Sequence, residues 1–442
     1  MNPNNQNTKT SLLQGHLRPI KDIKFSEKGN LIYTASNDRL VISWNTLTGE
    51  KLRTFNHSAA VNFIQITSDG NYLIVGDSTG CVYIWETKGG VLLKKIEQDP
   101  TYCVRSIDIS TDDSYLMIVY AGRAKGAKSF IEVYKLNEII AEIKSKRELN
   151  KRINDSISLT SNPTKSKQKY QKEVESSIYL AKEEKLKSED YVIQSHMKLD
   201  CKAPDTKYFQ ARFIIQNKSI IASREDGTIE LINFANGKII TENKFHKDII
   251  TDLDVDTTES LLLTASIDGY ACLINVHTFE VIQKYHPINP TRWINACKFA
   301  VISTEEAESV NNPKNDVNNV SDIIKSSSKK RETVAIDIDN LFHNSNEEMM
   351  QSNPKIFKRD KLVAIITGGQ DSKLVTTTNQ KEGGFDIIVY DALDGSELTN
   401  FESHFGPVNT LAVYNNILAS GAEDATVRLH KLDQYLSSEI EK

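Results

Sequence analysis

Gly15-His16, Ser36-Asn37-Asp38 and Ile42-Ser43-Trp44 follow one another early in the chain, and His57, Ser78-Thr79-Gly80 and Tyr83-Ile84-Trp85 repeat their order. His16 to His57, Trp44 to Trp85 and Gly49 to Gly90 are each 41 residues apart. A period near 40, with a histidine early, an Asp or Asn turn late and an aromatic residue ending a β-branched run, is the pattern of a propeller blade. Working outward, Leu31–Thr34 and Leu40–Trp44 read as strands. Gly29-Asn30 and Thr48-Gly49 supply turns in which positive φ is tolerated.

The same order recurs through the rest of the chain. Blade two covers about 57–96, blade three begins at Val104, and blades four and five run from Gln210 to Tyr285. Asp226-Gly227 and Asp268-Gly269 occupy equivalent turns in blades four and five. Blade six starts at Trp293 and resumes at Leu362, and blade seven covers Val408 to Leu432. That last blade lacks an outer strand, and Thr10-Ser11-Leu12-Leu13-Gln14 is the segment expected to complete it. Such pairing removes two open edges and closes the ring. The fold class is therefore all-β: a seven-bladed propeller closed by its N-terminal strand. Residues 1–9 read as a disordered tail and 10–442 as the propeller. Two long polar insertions, 140–195 in blade three and 303–359 in blade six, interrupt it. The first is rich in Lys, Glu and Ser, and only a transient helix near Ala181–Leu186 is expected there.

At 442 residues the chain exceeds one ordinary core, but a circular array grows by adding blades. Hydrophobic residues make up 39% and charged residues 26%, as in globular proteins, and a net charge of −5 argues against a surface built for nucleic-acid phosphates. Five cysteines occur without a Cys-x-x-Cys pair, three of them in apolar runs, so a reducing compartment is expected. No apolar signal core or membrane-length run is seen, and the chain reads as cytosolic.

His16, Ser36, Asp38 and Trp44 form the one complete polar set, expected to be a hydrogen-bonded lock within the blade. His57, His246 and His404 recur at blade starts and fit the same role. Elsewhere the set decays: Thr79 replaces the turn aspartate and Ile232, Ile274 and His430 replace the tryptophan, so apolar packing is expected to hold those blades. Lys329-Lys330-Arg331, among serines that are candidate phosphorylation sites, reads as a solvated linker. No phosphate-binding Gly loop, zinc spacing, nucleophile elbow or acid–base pair is present, and no polar constellation is expected in the central channel. Neither catalytic residues, metal nor cofactor is expected.

Ile366-Thr367-Gly368-Gly369-Gln370-Asp371-Ser372-Lys373-Leu374-Val375-Thr376-Thr377-Thr378 resembles the Gly-Gly-Gln-x-x-x-x-Val-Thr-Thr-Thr signature of the WD-repeat family of eukaryotic translation initiation factor 3 subunit I. Gly384-Phe385 and His404-Phe405-Gly406-Pro407-Val408-Asn409 are similar to that family's Gly-x-Phe and Gly-His-Phe-Gly-Pro-Ile-Asn. Leu12–His16 and Ser420–Asp424 resemble its first strand and last turn. The resemblance spans all seven blades and leaves out the insertions and the tail.

It implies a non-catalytic scaffold of the initiation complex, helping to bring messenger RNA and initiator tRNA to the small ribosomal subunit. It also implies contact with initiation factor 3 subunits B and G, the former gripped through its C-terminal helix. No membrane and no direct sequence-specific nucleic-acid contact is implied. Asp252 and Asp268 match acidic positions of the grip on that helix, and Gln370 is expected near the partner-facing rim. Asp268 also sits at a scaffold turn, whereas no blade-locking role is expected for Asp252. Ser403 departs from the family's glycine, blade three's Gly122–Gly126 loop is rewritten, and Trp293 has no counterpart. A WD-repeat adaptor of another complex, in signalling or RNA processing, is the alternative, and a propeller enzyme is a remote third.

Overall fold

A computed structural model describes residues 10–124, 126–160, 194–203, 205–286, 293–307, 356–370 and 385–436. Their strands form seven four-stranded antiparallel sheets. The inner strands are Ile20–Phe25, Val61–Ile66, Tyr102–Ile109, Tyr208–Ile214, Ile250–Val255, Trp293–Ala307 and Val408–Tyr414. In the seventh sheet Thr10–Leu13 is the outer strand, in register from Thr10 opposite His430 to Leu13 opposite Val427. The ring thus closes through its N-terminal strand. Residues 303–361 form a second compact unit, of which 303–307 and 356–361 are described.

Burial follows the order of strands within a blade. Second strands such as Tyr72–Asp77 and Ser219–Arg224 are buried along their whole length, because they are covered on both faces by neighbouring blades. Outer strands such as Lys51–Asn56 and Ile239–Lys244 are mostly exposed and carry charged residues, which blunts their free edges. The core is divided into seven apolar clusters, each straddling one junction between blades. Tyr33 and Val41 meet Val61 and Leu73 between blades one and two, for example, and Leu13 and Ile20 meet Ala419 and Leu429 between seven and one. Gly421 marks a close approach: a Cβ there would lie 2.6 Å from Ile20 Cγ2 and 2.9 Å from Ile23 Cδ1.

Side chains of the inner strands tie each blade to the next. Asp22 accepts from Ile64 N at 3.0 Å, Gln65 donates to Ile107 O at 3.4 Å, and Asp108 accepts from Phe213 N at 2.8 Å. Gln210 then takes Leu253 N and donates to Thr251 O, at 3.1 and 2.7 Å. Asp252 and Asp254 take Cys297 N and Phe299 N, at 3.2 and 2.8 Å. Asn295 donates to Val408 O and Asn409 to Ile20 O, at 3.1 and 2.9 Å. All seven junctions carry such a bond, so buried backbone groups that no ladder satisfies find partners across the gap.

The polar insertion expected over 140–195 begins differently. Leu136–Thr160 is a helix. Its residues Leu136, Ile139 and Ile143 are buried with Tyr72 and Leu116 at the junction of blades two and three, and Arg147 makes two hydrogen bonds to Glu86, at 2.7 and 3.1 Å. Three apolar residues spaced one turn apart suffice to dock it, although its composition is polar. The chain rejoins the blade at Met197–Asp200, paired with the third strand. Ala181–Leu186, residues 1–9, Asp371–Gly384 and Lys329–Arg331 lie outside the described residues.

Candidate partner-binding face and central channel

At one end of the ring, blade one holds the lock read from its sequence, but through a different link. His16 Nδ1 is 2.8 Å from Asp38 Oδ2, His16 Nε2 is 2.7 Å from Thr34 Oγ1, and Trp44 Nε1 donates to the same Oγ1 at 2.9 Å. Ser36 stands outside this relay: it donates to Arg18 O and accepts from Asp38 N, closing the turn. Thr34 is the residue the sequence reading missed, and its signal is spacing. It follows His16 by 18 residues, as Thr264 follows His246. Burial would raise the Asp38 carboxyl, but His16 and the Leu17 and Leu40 amides more than offset it and hold the group below its ordinary value.

The lock does not decay as the sequence suggested. In blade five His246 Nδ1 lies 3.1 Å from Asp268 and Nε2 lies 2.7 Å from Thr264, although Ile274 stands where blade one has tryptophan. Asp268 also accepts from Lys247 N and Tyr270 N; against the opposing effect of burial, His246 and these amides bring its pKa down to about 2. In blade seven His404 pairs with Asp424 and with Ser420, and His430 fills the tryptophan position. Ser403 and Ser420 both lie 3.0 Å from His430 Nε2. Blade four uses an ion pair instead, Arg224 Nη1 to the buried Glu230 at 2.6 Å, with Tyr208 Oη on the same carboxylate. Polar networks therefore hold blades that apolar packing alone was expected to hold.

The residues matched to partner binding are placed as follows. Asp268 is committed to the blade-five lock. Asp252 is on the inner strand, 13% exposed at its side chain, with Oδ2 on Cys297 N and on Lys298 Nζ at 3.1 Å. It therefore has the joining role that the sequence reading denied it. Gln370 directly follows the second strand of blade six, Ile356–Gly369, and is half-buried. The two glycines before it have a steric reason. A Cβ on Gly368 would collide with the carbonyl oxygen of Trp293, and one on Gly369 would press on Phe385 at 2.8 Å.

The channel is also unlike its expectation. It carries Asp22, Lys24, Asp108, Arg212, Asp252, Asp254 and Lys298, a polar constellation. It arises because inner-strand residues just past each bulge face the axis. Arg212 pairs with Asp108 at 3.1 Å and Lys298 with Asp252 and Asp254 at 3.1 and 3.2 Å. Burial would lower the Lys298 ammonium, but the two carboxylates reverse that and raise it. Among the described residues no group of three or more His, Cys, Asp or Glu is arranged to hold a metal ion, and no helix is long and apolar enough to cross a membrane. All five cysteines are free thiols.

The WD domain, G-beta repeat, matches residues 7–45, 49–86 and 395–431. Three proteins similar over most of their length are named eukaryotic translation initiation factor 3 subunit I. The Kluyveromyces lactis protein is 26% identical over 96% of this chain and 92% of its own. The Schizosaccharomyces pombe protein is 23% identical over 96% of both, and the Neurospora crassa protein 24% identical over 96% and 91%. The chain is thus a closed seven-bladed ring with WD repeats, similar end to end to proteins named eukaryotic translation initiation factor 3 subunit I.

Proposed function

We propose that this chain is a non-catalytic scaffold subunit of translation initiation factor 3 in the cytoplasm. In this reading it holds subunits B and G so that the complex recruits messenger RNA and initiator tRNA to the small ribosomal subunit. The observation that carries the reading is the end-to-end similarity to proteins named as that subunit, across all seven blades. A rigid ring suits such a role because it orders partner helices at little entropic cost to itself.

Of the two partners, the former is proposed to dock its C-terminal helix at the blade-five end of the ring. Asp268 and Asp252 act there by fixing the face, since their oxygens already serve the fold. Asp248, exposed on the turn after His246, offers a carboxylate with one oxygen on Ile249 N and the other open to a Lys or Arg of a docked helix. Gln370 lies at the same end of its blade. The test is fluorescence anisotropy with that C-terminal helical segment, labelled, and the purified full chain. Saturable binding is expected, weakened about tenfold or more in Asp248→Lys, a loss of about 1.4 kcal/mol. No binding by a folded wild type would sink the proposed grip.

A further inference from the structure

A cavity of about 350 Å3 opens in the channel at the end away from the His–Asp locks, its charged lining being Lys24, Arg212 and Lys298 with Asp108, Asp254, Asp256 and Glu259. Its size is at the lower end of small-molecule sites. What decides its chemistry is the balance of donors and acceptors around it.

Every oxygen of four channel carboxylates, Asp22, Asp108, Asp252 and Asp254, already accepts at least one donor. Asp22 takes Ile23 N and Ile64 N, one on each oxygen. Asp108 takes Gln65 and Arg212 on Oδ1 and Phe213 N on Oδ2. Asp252 takes Leu253 N on Oδ1, with Cys297 N and Lys298 on Oδ2. Asp254 takes Lys298 on Oδ1 and Phe299 N on Oδ2. All eight oxygens thus accept a donor, most of them backbone amides of the adjoining blade or the same strand, so much of their negative charge is spread into fixed N–H groups.

The cations are not matched in the same way. Lys298 places its ammonium on Asp252, Asp254 and Cys297 O. Arg212 uses one nitrogen, Nη1, and among the described residues the rest of its donor fork has no acceptor. Lys24 has no hydrogen-bond acceptor among the described residues; its nearest carboxylate oxygen, on Asp22, is 3.8 Å away, and its side chain is 20% exposed. Burial lowers the Lys24 ammonium's pKa; Asp22 opposes this, while Arg212 and Lys298 add to it. Two cationic groups with unused donors therefore face one cavity; of its other carboxylates, Asp256 accepts from Thr258 N, Ser260 N and Leu261 N, and Glu259 takes Gln216 N on Oε2.

We propose that this cavity is a binding site for a small phosphate-bearing anion, held by the Lys24 ammonium and the free edge of the Arg212 guanidinium. A planar donor fork and an ammonium are the pair that phosphate oxygens accept from. Lys298 supplies a fixed positive charge at the wall, and the carboxylates of Asp256 and Glu259 in the lining disfavour larger polyanions. Free phosphate and a small phosphate ester share this chemistry.

The test is isothermal titration of the full chain with orthophosphate and, in a parallel arm, glycerol 3-phosphate, each against chloride of equal ionic strength. A saturable 1:1 isotherm with either is expected, and the tighter of the two identifies the source. Lys24→Met, checked by circular dichroism, is expected to keep the fold and weaken binding at least tenfold. Arg212→Lys, which keeps the charge but removes the fork, is expected to weaken it several-fold and covers the case of a misfolded Lys24 variant. A wild type that shows no heat beyond the chloride control, or a Lys24→Met protein that binds as tightly as wild type, overturns the proposal.

Discussion

Asp252 Oδ2 lies 3.1 Å from Lys298 Nζ and 3.2 Å from Cys297 N, so one carboxylate oxygen joins blade five to blade six. The pair is largely withdrawn from water, with 13% of each side chain exposed. Removing Asp252 leaves the Cys297 amide without its acceptor and Lys298 with Asp254 as its one carboxylate. Asp252→Ala is expected to lower the unfolding free energy on the order of 3 kcal/mol in urea melts. Adding Lys298→Met should cost less than it does in the wild type, because its contact with Asp252 is already gone. A fully additive double variant would contradict the coupling.

The blade-one lock separates two hydroxyls that look alike in sequence. Thr34→Val removes the hydroxyl that pairs with His16 Nε2 and accepts from Trp44 Nε1, leaving two buried ring nitrogens without their partner. Ser36→Ala removes a turn bond to Arg18 O. Thr34→Val is expected to cost about 2–3 kcal/mol and Ser36→Ala about 1. Equal losses in thermal or urea melts would argue against Thr34 as the relay.

How much of this was legible follows from what repeats. The period, the blade count and the closing strand Thr10–Leu13 were legible because β-branched runs and glycine turns recur at nearly fixed intervals. The locks were half legible. His16, Asp38 and Trp44 stood out by type, but Thr34 sits in an apolar strand where threonine is common. His246–Thr264 was hidden by the lost tryptophan. The channel was not legible at all. Asp108, Arg212 and Lys298 lie in different blades, and only ring closure brings them together. The start of the expected insertion was misread because Leu136, Ile139 and Ile143 form a narrow stripe within a charged segment.

That helix offers its own test. Ile143→Ala takes a buried side chain from the junction of blades two and three and is expected to cost about 2–3 kcal/mol. Arg147→Ala breaks an ion pair at the surface, and less than about 1 kcal/mol is expected. Both are read from urea midpoints. A silent Ile143→Ala would mean that the helix does not dock.

Stability should fall with pH in two stages. His57 is brought down to about 4 and His430 to about 3, burial being the main cause in each. Both folded values lie below the unfolded imidazole near 6.5, so their contribution is complete above about pH 6.5 and is lost as pH falls through 4 and 3. Asp268, at about 2 against an unfolded carboxyl near 3.9, adds a further loss below about pH 4. Thermal midpoints measured from pH 8 to pH 3 should be level at first and then decline from about 6.5. A midpoint that rises on acidification would reverse the sign of this account.

Ser403 and His430 depart from the usual residues together and touch at 3.0 Å. His430→Trp alone is expected to destabilise blade seven, because the indole meets Ser403. The double variant with Ser403→Gly should recover at least half of that loss in a double-mutant cycle.

The measurement that bears most directly on the chain's role is purification of the tagged full-length protein from its own cells, with co-purifying proteins identified by mass spectrometry. Recovery of initiation factor 3 subunits, B and G foremost, together with small-subunit ribosomal proteins, is the predicted result. Recovery of a different complex with no factor 3 subunit, from a tagged chain that melts like the wild type, would contradict it.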